Sequence, residues 1–126
     1  MTIKKEINSR PTIEKALVSE KMTVVEKFQN STLRQIIKMK HDLLIAYFNH
    51  YISSQKFDYN DLSELKKMEF IERTFLKDSQ FRNEVKGIII GHFTLEEFSI
   101  YKNFTKESNK RILNMVKERV LSTLTR

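Results

Sequence analysis

The chain has 126 residues with two Gly, one Pro, no Cys and a formal net charge of +7. So little turn punctuation excludes sheet folds built on hairpins, which need Gly, Pro, Asn or Asp signals roughly every 8 to 12 residues. The missing cysteines exclude disulfides and thiolate chemistry, and the longest apolar run, Leu43 to Phe48, is far shorter than the ~20 residues a membrane span requires. The expectation is one all-α domain, a compact bundle of four to six helices. Its hydrophobic fraction of 40% is sufficient for a core without a metal or disulfide staple.

Residues 1–30 read as an N-terminal arm, flexible or short-helical. Pro11 can open a helix at Thr12, and Val24, Val25 and Phe28 show weak helical spacing. Residues 31–126 form the bundle domain. Asn30 or Ser31 caps a long helix to about Ser54, striped by Leu33, Ile36, Ile37, Leu43, Leu44, Tyr47, Phe48 and Tyr51. After a polar connection, Asn60 or Asp61 caps a helix ending near Lys77, with Leu65, Met68, Phe75 and Leu76 as its inward face. Asp78 or Ser79 caps the next, in which Phe81, Val85, Ile88 and Ile89 face one way and Ile90 the other. This helix and the long one at 31–54 are expected at the centre. Thr94 and Glu97 form a T-x-x-E capping box with Phe93 and Phe98 placed as a hydrophobic staple. From Leu95 to Leu124 the pattern fits one helix with a polar waist, or two joined at Phe104 to Ser108.

Charge is unevenly spread. Residues 1–40 carry nine basic and four acidic side chains, residues 41–98 seven and ten, and residues 99–126 seven and two. Opposite charge in the middle and at the ends, together with nine Phe and four Tyr, points first to a non-enzymatic protein that self-associates through helix faces as a homodimer. A basic face of Lys110, Arg111, Lys117 and Arg119 offers sequence-independent nucleic-acid binding as another reading.

Motif chemistry is sparse. His41 and Asp42 spell an H-D dipeptide, but His50 lies half a turn round the same helix and no His precedes them, so no metal ligand set forms. No phosphate loop occurs, and no catalytic residues, metal or cofactor are expected. Gly87 and Gly91 form a G-x-x-x-G pair suited to close helix approach. Four polar residues project inside apolar stripes: Lys40, Glu72, His92 and Asn109. Since a buried unpaired charge is costly, they form a candidate polar cluster in which Glu72 accepts from Lys40 or His92 and Asn109 completes the set. A small-molecule or catalytic pocket near His92 and Glu72 is the alternative reading. The N-terminal Lys4 and Lys5 have no apolar stretch behind them, so a cytoplasmic location is expected.

The segments FRNEVKGIIIGHFTLEEF and NKRILNMVKERV resemble a small bacterial family, helical throughout, to which the label glyoxalase is sometimes attached. The matching residues are Phe81, Arg82, Asn83, Gly87, Gly91, Phe93, Thr94, Glu97, Asn109, Lys110, Arg111, Asn114, Met115, Glu118 and Arg119. The resemblance spans roughly residue 33 to the C-terminus. It implies an all-helical fold and no established activity. Metal-dependent glyoxalases draw His and Glu ligands from paired βαβββ modules, which this composition does not supply.

Overall fold

The computed structural model describes residues 23–125. It is an all-α bundle with no strand among those residues. The first helix, α1 (Val24–Lys27), starts on a capping box. Thr23 accepts from the Glu26 N–H at 3.1 Å and the Glu26 carboxylate accepts from the Thr23 N–H at 3.1 Å. The chain continues through a π-helical stretch (Phe28–Leu33) into α2 (Arg34–Met39). Helix therefore passes straight through Asn30 and Ser31, where a cap was expected. The reason is Phe28, which is 3% exposed and packs its ring edge-on against Phe93 at 5.5 Å, so burial holds the earlier turns helical. T-V-V-E at 23–26 is the same capping signature that marks Thr94. Expectations for residues 1–22 lie outside the described residues.

Lys40, at φ −99° and ψ 16°, breaks the helix before α3 (His41–Ser53). A short 3₁₀ turn (Tyr59–Asp61) takes up Asn60 and Asp61, and Ser63 caps α4 (Glu64–Lys77) instead, accepting from the Lys66 N–H at 3.2 Å. Asp78 caps α5 (Ser79–Ile90), as expected, accepting from the Phe81 N–H at 3.0 Å. Thr94 and Glu97 make the expected capping box on α6 (Leu95–Tyr101). Phe93 packs on Tyr101 and Phe28, while Phe98 stays 46% exposed. The chain turns through 102–104 into α7 (Thr105–Leu124), so the last segment is two helices.

The core is an aromatic knot. Phe48, fully buried, sits within ring distance of Tyr51, Phe70, Phe75 and Phe81. The hub, however, is α7. It packs on α2, α3, α4, α5 and the π-helical stretch, burying Ile112, Leu113, Val116 and Val120. A twenty-residue helix with two inward flanks can serve several neighbours at once, which the shorter 79–90 helix cannot. Gly87 is exposed, and a Cβ there would meet nothing within 4 Å, so the G-x-x-x-G pair admits no neighbouring backbone. No helix among the described residues is long and apolar enough to cross a membrane.

Candidate functional site: a cationic apolar groove

The inward face of α4 is Phe70, Ile71, Thr74 and Phe75, one step round from the face read in the sequence. Both stripes are apolar at helical spacing, and periodicity cannot rank them. Phe70 and Ile71 win because they reach the rings of Phe48 and Tyr59 and the flank of α7. Leu65, Met68 and Leu76 are left 64%, 41% and 68% exposed. Isolated exposed apolar side chains are ordinary; these two Leu and one Met share one helix flank that borders a cleft.

That cleft is a groove of about 1100 Å³ between α4, α5 and α7. Its apolar side chains are Leu65, Met68, Phe75, Leu76 and Leu113. Six cations line it, Arg73 from α4, Arg82 and Lys86 from α5, and Lys106, Lys110 and Lys117 from α7, against two carboxylates, Glu69 and Glu72. One carboxylate is already engaged, since Glu72 pairs with Lys117 at 3.0 Å. The helices α4 and α7 run antiparallel: the Tyr59 hydroxyl donates to the Leu124 carbonyl at 2.7 Å and Glu72 meets Lys117 further along. The C-terminal end of α4 therefore lies beside the start of α7, gathering Arg73, Arg82, Lys86, Lys106 and Lys110 at one end of the groove. Leu65 and Met68 lie at the other. Within this lining the Nε of Arg82 is sealed from water and has no hydrogen-bond partner.

The four residues of the expected polar cluster are dispersed. Glu72 and Asn109 both line the groove, Glu72 bonded to Lys117 and Asn109 accepting from the Tyr101 hydroxyl at 2.6 Å. His92 lies elsewhere, its Nδ1–H donating to the Ile88 carbonyl at 2.8 Å as a helix C-terminal cap. Lys40 is half-buried at the break between α2 and α3. The cavity thus opens beside Glu72 and not beside His92. The basic residues of α7 divide as well. Lys110 and Lys117 line the groove, while Arg111 and Arg119 line a second recess of about 260 Å³ toward α2. Arg82, Lys86 and Lys106 went unread as site residues. They are scattered in sequence, and only the docking of α5 on α7 brings them together.

Beyond the groove, Asp78 joins three elements. It caps α5 with Oδ1 and accepts the Tyr51 hydroxyl on Oδ2 at 2.7 Å. The Phe81 N–H, then the Tyr51 hydroxyl, hold its carboxyl below the usual range, while burial, then Asp78, push the Tyr51 phenol up. Comparison with protein-family models, curated proteins and solved structures gave no match.

Proposed function

We propose that the protein is a non-enzymatic docking module whose groove takes one face of an acidic amphipathic helix from a partner protein. The observation that carries this reading is the conjunction of exposed Leu65, Met68 and Leu76 with six cations facing two carboxylates. An apolar stripe rewards a helix face, and the cations reward acidic residues flanking that face. The unpartnered Arg82 Nε supports it further, because a partner carboxylate would supply the missing acceptor. From Leu65 to Leu76 the groove wall runs eleven residues along α4, ~17 Å at 1.5 Å per residue, so it suits a helix of about three turns.

Self-association, the first expectation from sequence, fits this groove less well. A two-fold interface would set each groove on its own copy, a net positive lining against a net positive lining with no acidic surface between them. A head-to-tail pairing avoids that repulsion but yields a ring or an open filament, not the expected homodimer.

The test is titration of the full chain with a labelled acidic amphipathic peptide carrying Leu at helical spacing, followed by fluorescence anisotropy. Binding should weaken with added salt, and Leu76→Asp or Lys106→Ala with Lys110→Ala should reduce it by tenfold or more. Equal binding of a peptide with the same composition in scrambled order would reduce the effect to net charge and refute the reading. Sedimentation velocity provides the second arm. A dimer of the chain alone, broken by Leu76→Asp, would make a second copy the occupant and overturn the foreign-helix assignment.

A further inference from the structure

We infer that the second recess, between α2 and α7, binds a small phosphomonoester dianion. Three guanidinium groups line it, those of Arg34, Arg111 and Arg119, beside Ile37 and Met115. Among the described residues the ion pair formed is Glu72 with Lys117, and none of their carboxylates pairs with the three arginines. Two are held by neutral acceptors: Arg34 Nη2 donates to Asn30 Oδ1 at 3.4 Å, and Arg119 Nη1 to His41 Nδ1 at 3.3 Å. Such contacts restrain a guanidinium without cancelling its charge. Glu118 also borders the recess, leaving a net lining charge of +2 that matches a phosphomonoester dianion and exceeds a phosphodiester monoanion.

The backbone contributes a second observation. Arg34 is the first residue after the π-helical stretch Phe28–Leu33, and π turns inside helices concentrate at functional sites because they are otherwise disfavoured. Here the wide turn decides where Arg34 leaves the helix relative to α7. Arginine forks match phosphate oxygens two at a time, and half-buried Met115 offers apolar surface to the carbon side of the ester. At about 260 Å³ the recess lies just under the usual size of small-molecule sites, which suits a phosphate on a short carbon chain. Only Asn114 is shared with the groove, so this site stands independently of the docking reading.

The experiment is a titration of the full ¹⁵N-labelled chain with glycerol phosphate and with inorganic phosphate, with dimethyl phosphate, sodium chloride and a single-stranded oligonucleotide as separate arms. Saturable amide shifts at Ile37, Arg111 and Met115 are expected with the first two, weakening as pH falls below about 6, where the dianion takes up a proton. Arg111→Gln should weaken binding about tenfold or more. Arg34→Gln, at an exposed position that tolerates substitution without unfolding, should do the same, and Lys106→Ala in the groove should change nothing. Absence of saturable shifts, equal or tighter binding of dimethyl phosphate or the oligonucleotide, or unchanged affinity in both arginine variants would overturn the assignment.

Discussion

Replacing Arg82 by Met should make the free protein more stable while weakening whatever its groove holds. The Arg82 Nε is shielded from water and meets no acceptor, and an unpaired buried donor costs about 1–3 kcal/mol. The side chain as a whole is only half-buried, so its outer nitrogens keep water and the lower end of that range applies. Met retains an unbranched apolar stem in the groove wall, so the packing loss is small. The expected gain is about 1 kcal/mol. In urea that moves the midpoint upward by roughly 0.5 M at unchanged m, and in a thermal scan it raises Tm by roughly 3–5 °C. Lys86→Met is the control. It removes a neighbouring groove cation that leaves no orphaned atom, and its effect should stay within about 0.5 kcal/mol. A lower midpoint for Arg82→Met would refute the orphaned-donor reasoning. Equal gains in both variants would do so too, since relief of cation repulsion would then account for the whole effect. Together with the docking titration, the pair separates a group kept for stability from one kept for a ligand.

Ser108 poses the same question in the core. Its hydroxyl is fully buried without a partner, so Ser108→Ala should be neutral or stabilise by up to about 1 kcal/mol in urea unfolding, and a loss larger than that would point to an uncounted hydrogen bond. Phe48→Ala removes the ring at the centre of the aromatic knot and should cost about 3–5 kcal/mol, enough to leave much of the population unfolded near 37 °C. Thr94→Ala breaks a buried capping box and should cost about 1–2 kcal/mol, against a smaller loss for Thr23→Ala at an exposed one. The Asp78 carboxyl is depressed below its ordinary 3.8, so its contribution is complete above that pH and disappears as pH falls through the lower folded value; Asp78→Asn should flatten that acid limb. The Tyr51 phenol is raised above 10.0, so its contribution is complete below that pH and is lost as pH climbs through the higher folded value; Tyr51→Phe should shrink that alkaline limb in pH-dependent unfolding, Tyr59, raised by its own burial, keeping the rest.

Local signals carried far in this chain. Helix positions followed from spacing, the caps at Asp78 and Thr94 from short side chains whose oxygens reach back to free N–H groups, and the all-helical class from the near absence of Gly and Pro. Three misplacements share one cause. The cap expected at Asn30 or Ser31 yields to the burial of Phe28 against Phe93; the cap expected at Asn60 or Asp61 moves to Ser63 because Tyr59 anchors a 3₁₀ turn on the end of α7; and the face of α4 turns by one step because Phe70 and Ile71 reach the aromatic knot. In each case residues far apart in the chain decide between local options of similar energy.

The candidate site was even less legible. Glu72, Asn109 and the four basic residues of α7 all line clefts, yet as two groups on different flanks, and His92 and Lys40 stand apart from both. Alternation of apolar and polar residues tells a helix which side chains can share a flank; it carries no information about which neighbour that flank meets. The amino-acid order by itself determined that this chain coils into capped helices with oily stripes and basic ends. Only packing decided which stripe is hidden and which, on α4, remains open beside the cations of α5 and α7, because that choice depends on the shape of the space left by every other helix.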